Sequence, residues 1–214
     1  MIGVVLAAGH GRRLGGPKAL VLFEGAPLVL AHTARLFEAG CRDVVVVVRA
    51  EVAPGLVLPG RARVALSSAS DQGGSLSVGL REIATADEEP VVISLVDVLP
   101  ARVATLCALV AALDGGAEAA TPRRLGVSGH PVVARARVLR AYRSESVAPP
   151  RLCDVLDALG PARVRVSVED GAVTSELDCP ADAQRVLGHG VVFADASETS
   201  PPGESIGRSS RTPC

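Results

Sequence analysis

Residues 44–48 are five consecutive valines. β-Branched side chains are stiff at χ1 and favour extended backbone. A strand without polar alternation has to be covered on both faces, as in the middle of a parallel sheet. The pattern therefore predicts a central strand over Asp43–Val48. A second unalternated run, Ile2–Leu6, predicts another buried strand, and residues 91–96 a third. Shorter strand candidates are 63–66, 117–121 and 131–134. Residues 163–168 read Arg, Val, Arg, Val, Ser, Val, the pattern of an edge strand with one wet face. Helical patterns lie between them. One covers 27–39, opened by Pro27 and stopped by Gly40. Others cover 75–83, 102–113 (ended by Gly115 and Gly116), 135–142, 152–159 and 181–187. Alternating strands and helices imply an α/β fold with a mostly parallel sheet covered on both faces.

The chain has 214 residues, 48% of them hydrophobic, enough for one domain with a sizeable core. No internal repeat is evident. After Gly190 the composition turns polar and rich in Pro and Ser, so the domain is read as 1–190 and residues 191–214 as a disordered, dispensable tail. The apolar N-terminus lacks the basic start and length of a signal peptide, and no run approaches the ~20 residues of a membrane span. The reading is a cytoplasmic protein with no membrane partner. The five cysteines are widely spaced without a CxxC pair, which argues against a zinc knuckle or a disulfide framework. The four histidines show no HExxH pattern.

Charge nearly cancels, with 22 Lys+Arg against 23 Asp+Glu, and aromatics are 2%. Neither a global field nor stacking platforms point to nucleic acid. Within this balance lysine occurs once, at Lys18, against 21 arginines. It sits in a glycine-rich stretch directly after the first strand: Leu6, Ala7, Ala8, Gly9, His10, Gly11, Arg12, Arg13, Leu14, Gly15, Gly16, Pro17, Lys18. Glycines let backbone N–H groups approach an anion, Arg offers a planar fork, and Lys offers a compact charge. Together they describe a triphosphate-binding loop. The P-loop pattern fails at Pro17 and Ala19, and the dinucleotide GxGxxG fails at Leu14.

This stretch resembles the signature LAAGxGxRxGxxK of small nucleotidyltransferases. Within them the chain is most similar to MobA-like enzymes, closest to molybdenum cofactor cytidylyltransferases. Further matches are Gln72-Gly73-Gly74-Ser75 at a helix start, Asp97 at a strand end, Gly129-His130-Pro131-Val132, and the closing segment Glu176 to Asp182. The matches span residues 3–187. Departures are Val98 and Leu99 before Pro100, Cys179 where the family has Thr, and Glu176 where it has Asp. The resemblance implies a three-layer, Rossmann-like (GT-A-like) fold with a mostly parallel mixed sheet. It implies transfer of a nucleotidyl group, CMP from CTP, to a phosphorylated acceptor, molybdopterin cofactor, with release of pyrophosphate. The Ala7–Ala8 pair is similar to the cytidylyl type.

For the residues, the resemblance implies that Arg13 and Lys18 clamp the triphosphate and that Asp97 and Asp178 share Mg²⁺, a hard cation that takes oxygen ligands. Leu6, Ala7, Ala8, Gly9 and Gly11 would carry the nucleotide, with Arg12 assisting or merely solvated. Ser75 would bind a phosphate or ribose, or only cap its helix. Gly129, His130 and Pro131 would face the acceptor. Asp97 and Asp178 each have a plain alternative as helix N-caps. Glu176 reads as a neighbour of Asp178 or a solvated side chain, and Asp182 as a first-turn charge. A molybdoenzyme or its chaperone is an implied partner. Two other readings stay open: a sugar-phosphate or other metabolite acceptor, and a catalytically silent cofactor-binding or insertion protein.

Overall fold

The computed structural model describes residues 1–144 and 148–194. The chain runs β1 (Ile2–Leu6), a 3-10 turn (Lys18–Leu20), a short hairpin of β2 (Leu22–Phe23) and β3 (Ala26–Pro27), α1 (Leu28–Glu38), β4 (Asp43–Val48), β5 (Ala62–Leu66), α2 (Gln72–Arg81), β6 (Pro90–Leu95) and α3 (Val103–Asp114). It continues through β7 (Ala119–Arg124), β8 (Val127–Ser128), β9 (Val132–Arg135), a 3-10 helix (Ala136–Arg143), α4 (Leu152–Ala158), β10 (Arg163–Ser167), a 3-10 turn (Gly171–Thr174) and α5 (Pro180–Leu187).

The main sheet has the order β10-β7-β9-β6-β1-β4-β5, with β8 paired to β7. Pairs β1–β4, β1–β6, β4–β5 and β10–β7 are parallel, whereas β9 is antiparallel to both neighbours. The sheet is thus mixed and mostly parallel. The five valines show why: Val44, Val46 and Val48 enter one core cluster and Val45 and Val47 the other. All five are fully buried. Each such side chain is worth roughly 1.5–3 kcal/mol relative to exposure. Helices α1, α3 and α5 cover the first face, through residues such as Leu36, Leu109 and Ala183. Helices α2 and α4 cover the second, through Leu76, Leu80, Leu152 and Leu156. The result is three layers.

Four features differ from the sequence reading. Pro27 lies outside α1, in β3, and its fixed φ serves the turn into the helix instead of its first position. The β2–β3 hairpin was not expected. Residues 136–143 form a 3-10 helix instead of an α-helix. The ordered chain also passes Gly190. Val192 O accepts from Leu22 N at 2.8 Å, Ala194 N donates to Leu20 O at 2.7 Å, and Phe193 bridges Val21. The boundary at 190 is therefore too early, while residues 195–214 of the expected tail lie outside the described residues. Cys41, Cys153 and Cys179 are free thiols, and Cys107 is disulfide-bonded. No helix among the described residues is long and apolar enough to cross a membrane.

Strand β1 is flanked by β4 on one side and β6 on the other, so the chain reverses its direction of travel across the sheet at β1. Open α/β sheets bind ligands at such a switch, beyond the carboxyl ends of the strands. The glycine-rich loop leaves β1 there, and Asp97 follows β6 there.

Candidate active site

The loop after β1 is shaped by Gly11. Its φ is +60°, and a Cβ at this position would lie 1.9 Å from Gly16 O. Only glycine fits this left-handed, crowded turn. Gly11 O accepts from Leu14 N at 2.8 Å and from Gly15 N at 3.0 Å, and buried Leu14 anchors the turn in the core. The turn carries Arg12 and Arg13 outward and delivers Lys18 inward, with 14% of the Lys18 side chain exposed.

The closing segment reaches the same edge by pairing with the residues after β6. Leu177 N donates to Asp97 O at 2.7 Å, Val98 bridges Glu176 in antiparallel fashion, and Leu99 N donates to Ser175 Oγ at 3.1 Å. This places Asp178 beside the loop. Its Oδ1 accepts from Lys18 Nζ at 2.6 Å and its Oδ2 from Arg13 at 3.0 Å. The Lys18 hydrogen bond, with help from Arg13, holds the Asp178 carboxyl below the usual carboxylate range.

Neither aspartate is a helix cap. The N-terminus of α3 is served by buried Asp170, whose Oδ2 accepts from Arg102 N at 2.7 Å and from Thr105 Oγ1 at 2.8 Å. Helix α5 is capped by Cys179 with Asp182, a capping box in which Asp182 accepts from the Asp178 and Cys179 backbone. Asp182 is thus a structural cap, drawn below the usual carboxylate range first by Arg185. Glu176 is exposed. Asp97 caps no helix, and its Oδ1 is buried with no hydrogen-bond partner among the described residues.

Under Asp97 lies a residue the sequence reading passed over. His32 of α1 is buried, with Nδ1 2.8 Å from Ser94 Oγ on β6 and Nε2 2.9 Å from Val98 O. Nε2–H donates to the Val98 carbonyl, which leaves Nδ1 to accept from the serine. Burial pushes the imidazole down to about 4, so it is neutral at pH 7. The pair of bonds fixes the turn that presents Asp97.

Two cavities open at this edge. The first, about 210 Å³, is lined by Leu6, Ala8, Gly9, Lys18, Ser75 and Asp97 among others. Ala7 is buried instead, its N–H donating to Val47 O at 2.8 Å. Ser75 lies inside α2, because the N-cap is Asp71, which accepts from Gly74 N at 2.7 Å. The second cavity, about 660 Å³, is lined by Gly129 and His130 and shares Asp71 and Gln72 with the first. Gly129 is packed so tightly that a Cβ would lie 1.9 Å from Val173 O. His130 Nδ1 is buried without a partner among the described residues, and burial lowers the imidazole against the pull of Asp97. Pro131 is buried at the start of β9 and does not line the cavity. Arg12 is exposed and has no partner among the described residues. Asp71, Gln72, His32 and Asp170 are the site residues that sequence reasoning missed. An Asp before a glycine-rich helix start was a readable cap signal, whereas His32 carried none.

Solved structures share this fold. A homologue of Mycobacterium tuberculosis Rv0371c from Mycobacterium sp. strain JC1 has a TM-score of 0.71 at 24% identity, over 87% of this chain and 94% of that one. Rv0371c itself, from M. tuberculosis in complex with manganese, has a TM-score of 0.67 at 24% identity over 87% and 97%. A nucleotidyl transferase from Methanothermobacter thermautotroptrophicus has a TM-score of 0.67 at 21% identity over 88% and 96%. Comparison with curated proteins gives no match. The model of the MobA-like NTP transferase domain matches residues 3–156, from β1 through the loop, Asp97 and the second cavity into α4. With this match over most of the chain and a glycine-rich loop at the switch of a mostly parallel sheet, the chain belongs to the MobA-like NTP transferase family and is a nucleotidyltransferase.

Proposed function

We propose that the protein transfers CMP from CTP to a phosphorylated acceptor, molybdopterin cofactor, releasing pyrophosphate. One observation carries this reading: Lys18 and Arg13 converge on Asp178 at the mouth of a cavity that Gly9 and Asp97 line. A triphosphate entering there meets two cations and the N–H groups of a glycine loop. The acceptor approaches from the second cavity, past Gln72 and His130. An acceptor phosphate oxygen bonds to the α-phosphorus while the bond to the bridging oxygen breaks, and pyrophosphate carries the charge away. Positioning and charge neutralisation dominate such chemistry.

Two carboxylates at one edge suit Mg²⁺, which takes one or two protein carboxylates and fills its shell with phosphate oxygens and water. Asp97 fits as a ligand because its buried Oδ1 has no protein partner among the described residues. Asp178 fits as the second once the nucleotide takes over Lys18 and Arg13. Bound there, the metal would neutralise charge on the phosphates. The manganese complex of Rv0371c supports a divalent ion at this fold. The Ala7–Ala8 pair supports CTP, and a molybdoenzyme or its chaperone is the partner that would receive the product.

The test is pyrophosphate release with CTP, GTP, UTP and ATP, each with Mg²⁺, against a panel of phosphorylated acceptors that includes molybdopterin cofactor. Turnover with CTP and the cofactor is expected. Tight nucleotide binding with silence for every pair would instead mark a cofactor-binding protein.

A further inference from the structure

The second cavity is three times the volume of the nucleotide cavity, about 660 Å³ against about 210 Å³. It extends from Gln72, where the two meet, to Arg163 on the edge strand β10. The sequence pattern placed Arg163 on a wet face. The structure buries it, with only 11% of its side chain exposed. Its NH1 donates to Asp157 Oδ1 at 2.7 Å, which sets the guanidinium plane, while its Nε is buried without a partner among the described residues. Thr121 of β7 lines the same cavity, is 1% exposed, and its hydroxyl is likewise unpaired among the described residues. Arg151 lines the cavity from the Gln72 side, because the carbonyl of Pro150 before it lies 2.9 Å from where a Gly73 Cβ would sit.

A buried N–H or O–H left unpaired loses its hydration without compensation, so such groups mark where a ligand or water belongs. Arg163 and Thr121 stand on neighbouring strands two register positions apart, so they share one face of the sheet, and Asp157 holds NH1 while leaving Nε and the Thr121 hydroxyl for a ligand. Asp71, the one acidic residue lining the cavity among the described residues, lies where the two cavities meet, with its Oδ1 already engaged by Gly74 N. Leu152 and Leu156 give the stretch between an apolar wall.

We propose that Arg163 and Thr121 form a second anion subsite, so that the acceptor is a bifunctional anion. One phosphate reacts beside Gln72, and a carboxylate or second oxyanion at the far end docks on Arg163 and Thr121. The assignment of the reacting end rests on the function proposed above, whereas the anion subsite itself needs no turnover to be observed.

The experiment compares two open-chain probes that differ only at one end, 6-phosphogluconate and sorbitol 6-phosphate, titrated calorimetrically into the full chain. A charge-assisted contact predicts that 6-phosphogluconate binds about tenfold or more tightly than sorbitol 6-phosphate. Arg163→Gln should reduce that preference to less than about twofold, and Thr121→Val should narrow it, while Arg163→Lys retains part of it. CTP affinity serves as the folding control and should be unchanged in every variant. Equal affinity of the wild type for both probes overturns the proposal, as does a preference that survives Arg163→Gln. Absence of nucleotidyl transfer with a persisting probe preference would overturn the proposed function and leave the subsite standing. Turnover of a singly charged acceptor with a KM unmoved by Arg163→Gln would do the reverse.

Discussion

Lys18 Nζ donates to Asp178 Oδ1 at 2.6 Å, across 160 residues of sequence. The chain's single lysine and a proposed metal ligand therefore neutralise each other before any substrate arrives. A triphosphate binding as proposed has to displace Asp178 from Lys18 and from Arg13. Asp178→Asn removes the competitor, so it should bind CTP about 3–10-fold more tightly without metal, as expected for loss of a partly exposed ion pair. The same variant should lose turnover by about 100-fold or more, because a carboxylate ligand is gone. Calorimetry with and without Mg²⁺ checks the first, and pyrophosphate release the second. Lys18→Ala should weaken nucleotide binding and lower turnover together.

Asp97 is distinguished by what it does not do. It caps no helix, that duty falling to Asp170 for α3, and its Oδ1 has no partner among the described residues. Asp97→Asn should leave the fold intact and lower turnover by about 1,000-fold, in the range of a lost transition-state contact. An unchanged melting temperature with retained activity would refute its assignment as a metal ligand.

Gly11→Ala tests the loop geometry. The substitution puts a methyl group 1.9 Å from Gly16 O at a φ of +60°. The turn has to open, which moves Arg13 and Lys18 away from Asp178. CTP affinity should fall by about tenfold or more, with a destabilisation of about 1–3 kcal/mol. Gly190→Ala is the control, since it lies outside both cavities and a Cβ there meets nothing within 4 Å.

The parallel core was legible because burial on both faces leaves a one-dimensional trace, five valines with no polar interruption. The loop was legible because Gly11, Arg13 and Lys18 are neighbours in sequence. The site's other half, Asp178 beside Asp97, was legible only through the resemblance, because its contacts are non-local. Nothing in Glu176-Leu177-Asp178 announces that it pairs with Asp97 and Val98. His32 reads as any residue of an amphipathic helix until Ser94 and Val98, 62 and 66 positions on, are folded against it. Arg163 shows the opposite error: alternation with valine suggested solvent, and α4 covered it through Asp157.

His32 gives the fold a pH dependence. Its imidazole is held at about 4 by burial, against 6.5 in an unfolded chain. A depressed folded value means that the unfolded state binds the proton first as pH falls. The stabilisation is therefore complete above pH ~6.5, declines as pH falls toward 4, and is lost below that. The shift corresponds to about 3 kcal/mol. Urea midpoints from pH 7.5 to 4 should show a drop that His32→Gln, already destabilised at pH 7.5, largely lacks. Parallel curves for the two proteins would refute a buried neutral imidazole.

The segment after Gly190 is tied to the glycine-rich loop, not loose beside it. Phe193 lies against Gly16, so that a Cβ there would come within 3.0 Å of the phenyl ring. Val192 O and Ala194 N hold Leu22 and Leu20, the residues that follow Lys18. Removing this strap exposes part of the cluster that contains Leu20 and Val21. It also forfeits two backbone hydrogen bonds, for a cost of about 2 kcal/mol or more. A chain ending at Gly190 should melt roughly 4–8 °C below one ending at Ala194, on the scaling for a domain of this size. Because the strap sits directly behind Lys18, the shorter chain should also bind CTP more weakly, whereas the longer one retains the loop. Phe193→Ala in the full chain separates the ring from the hydrogen bonds and should show an intermediate loss of both melting temperature and CTP affinity. Identical melting of the two truncated chains would mean that residues 191–194 add nothing to the domain, restoring a boundary at Gly190.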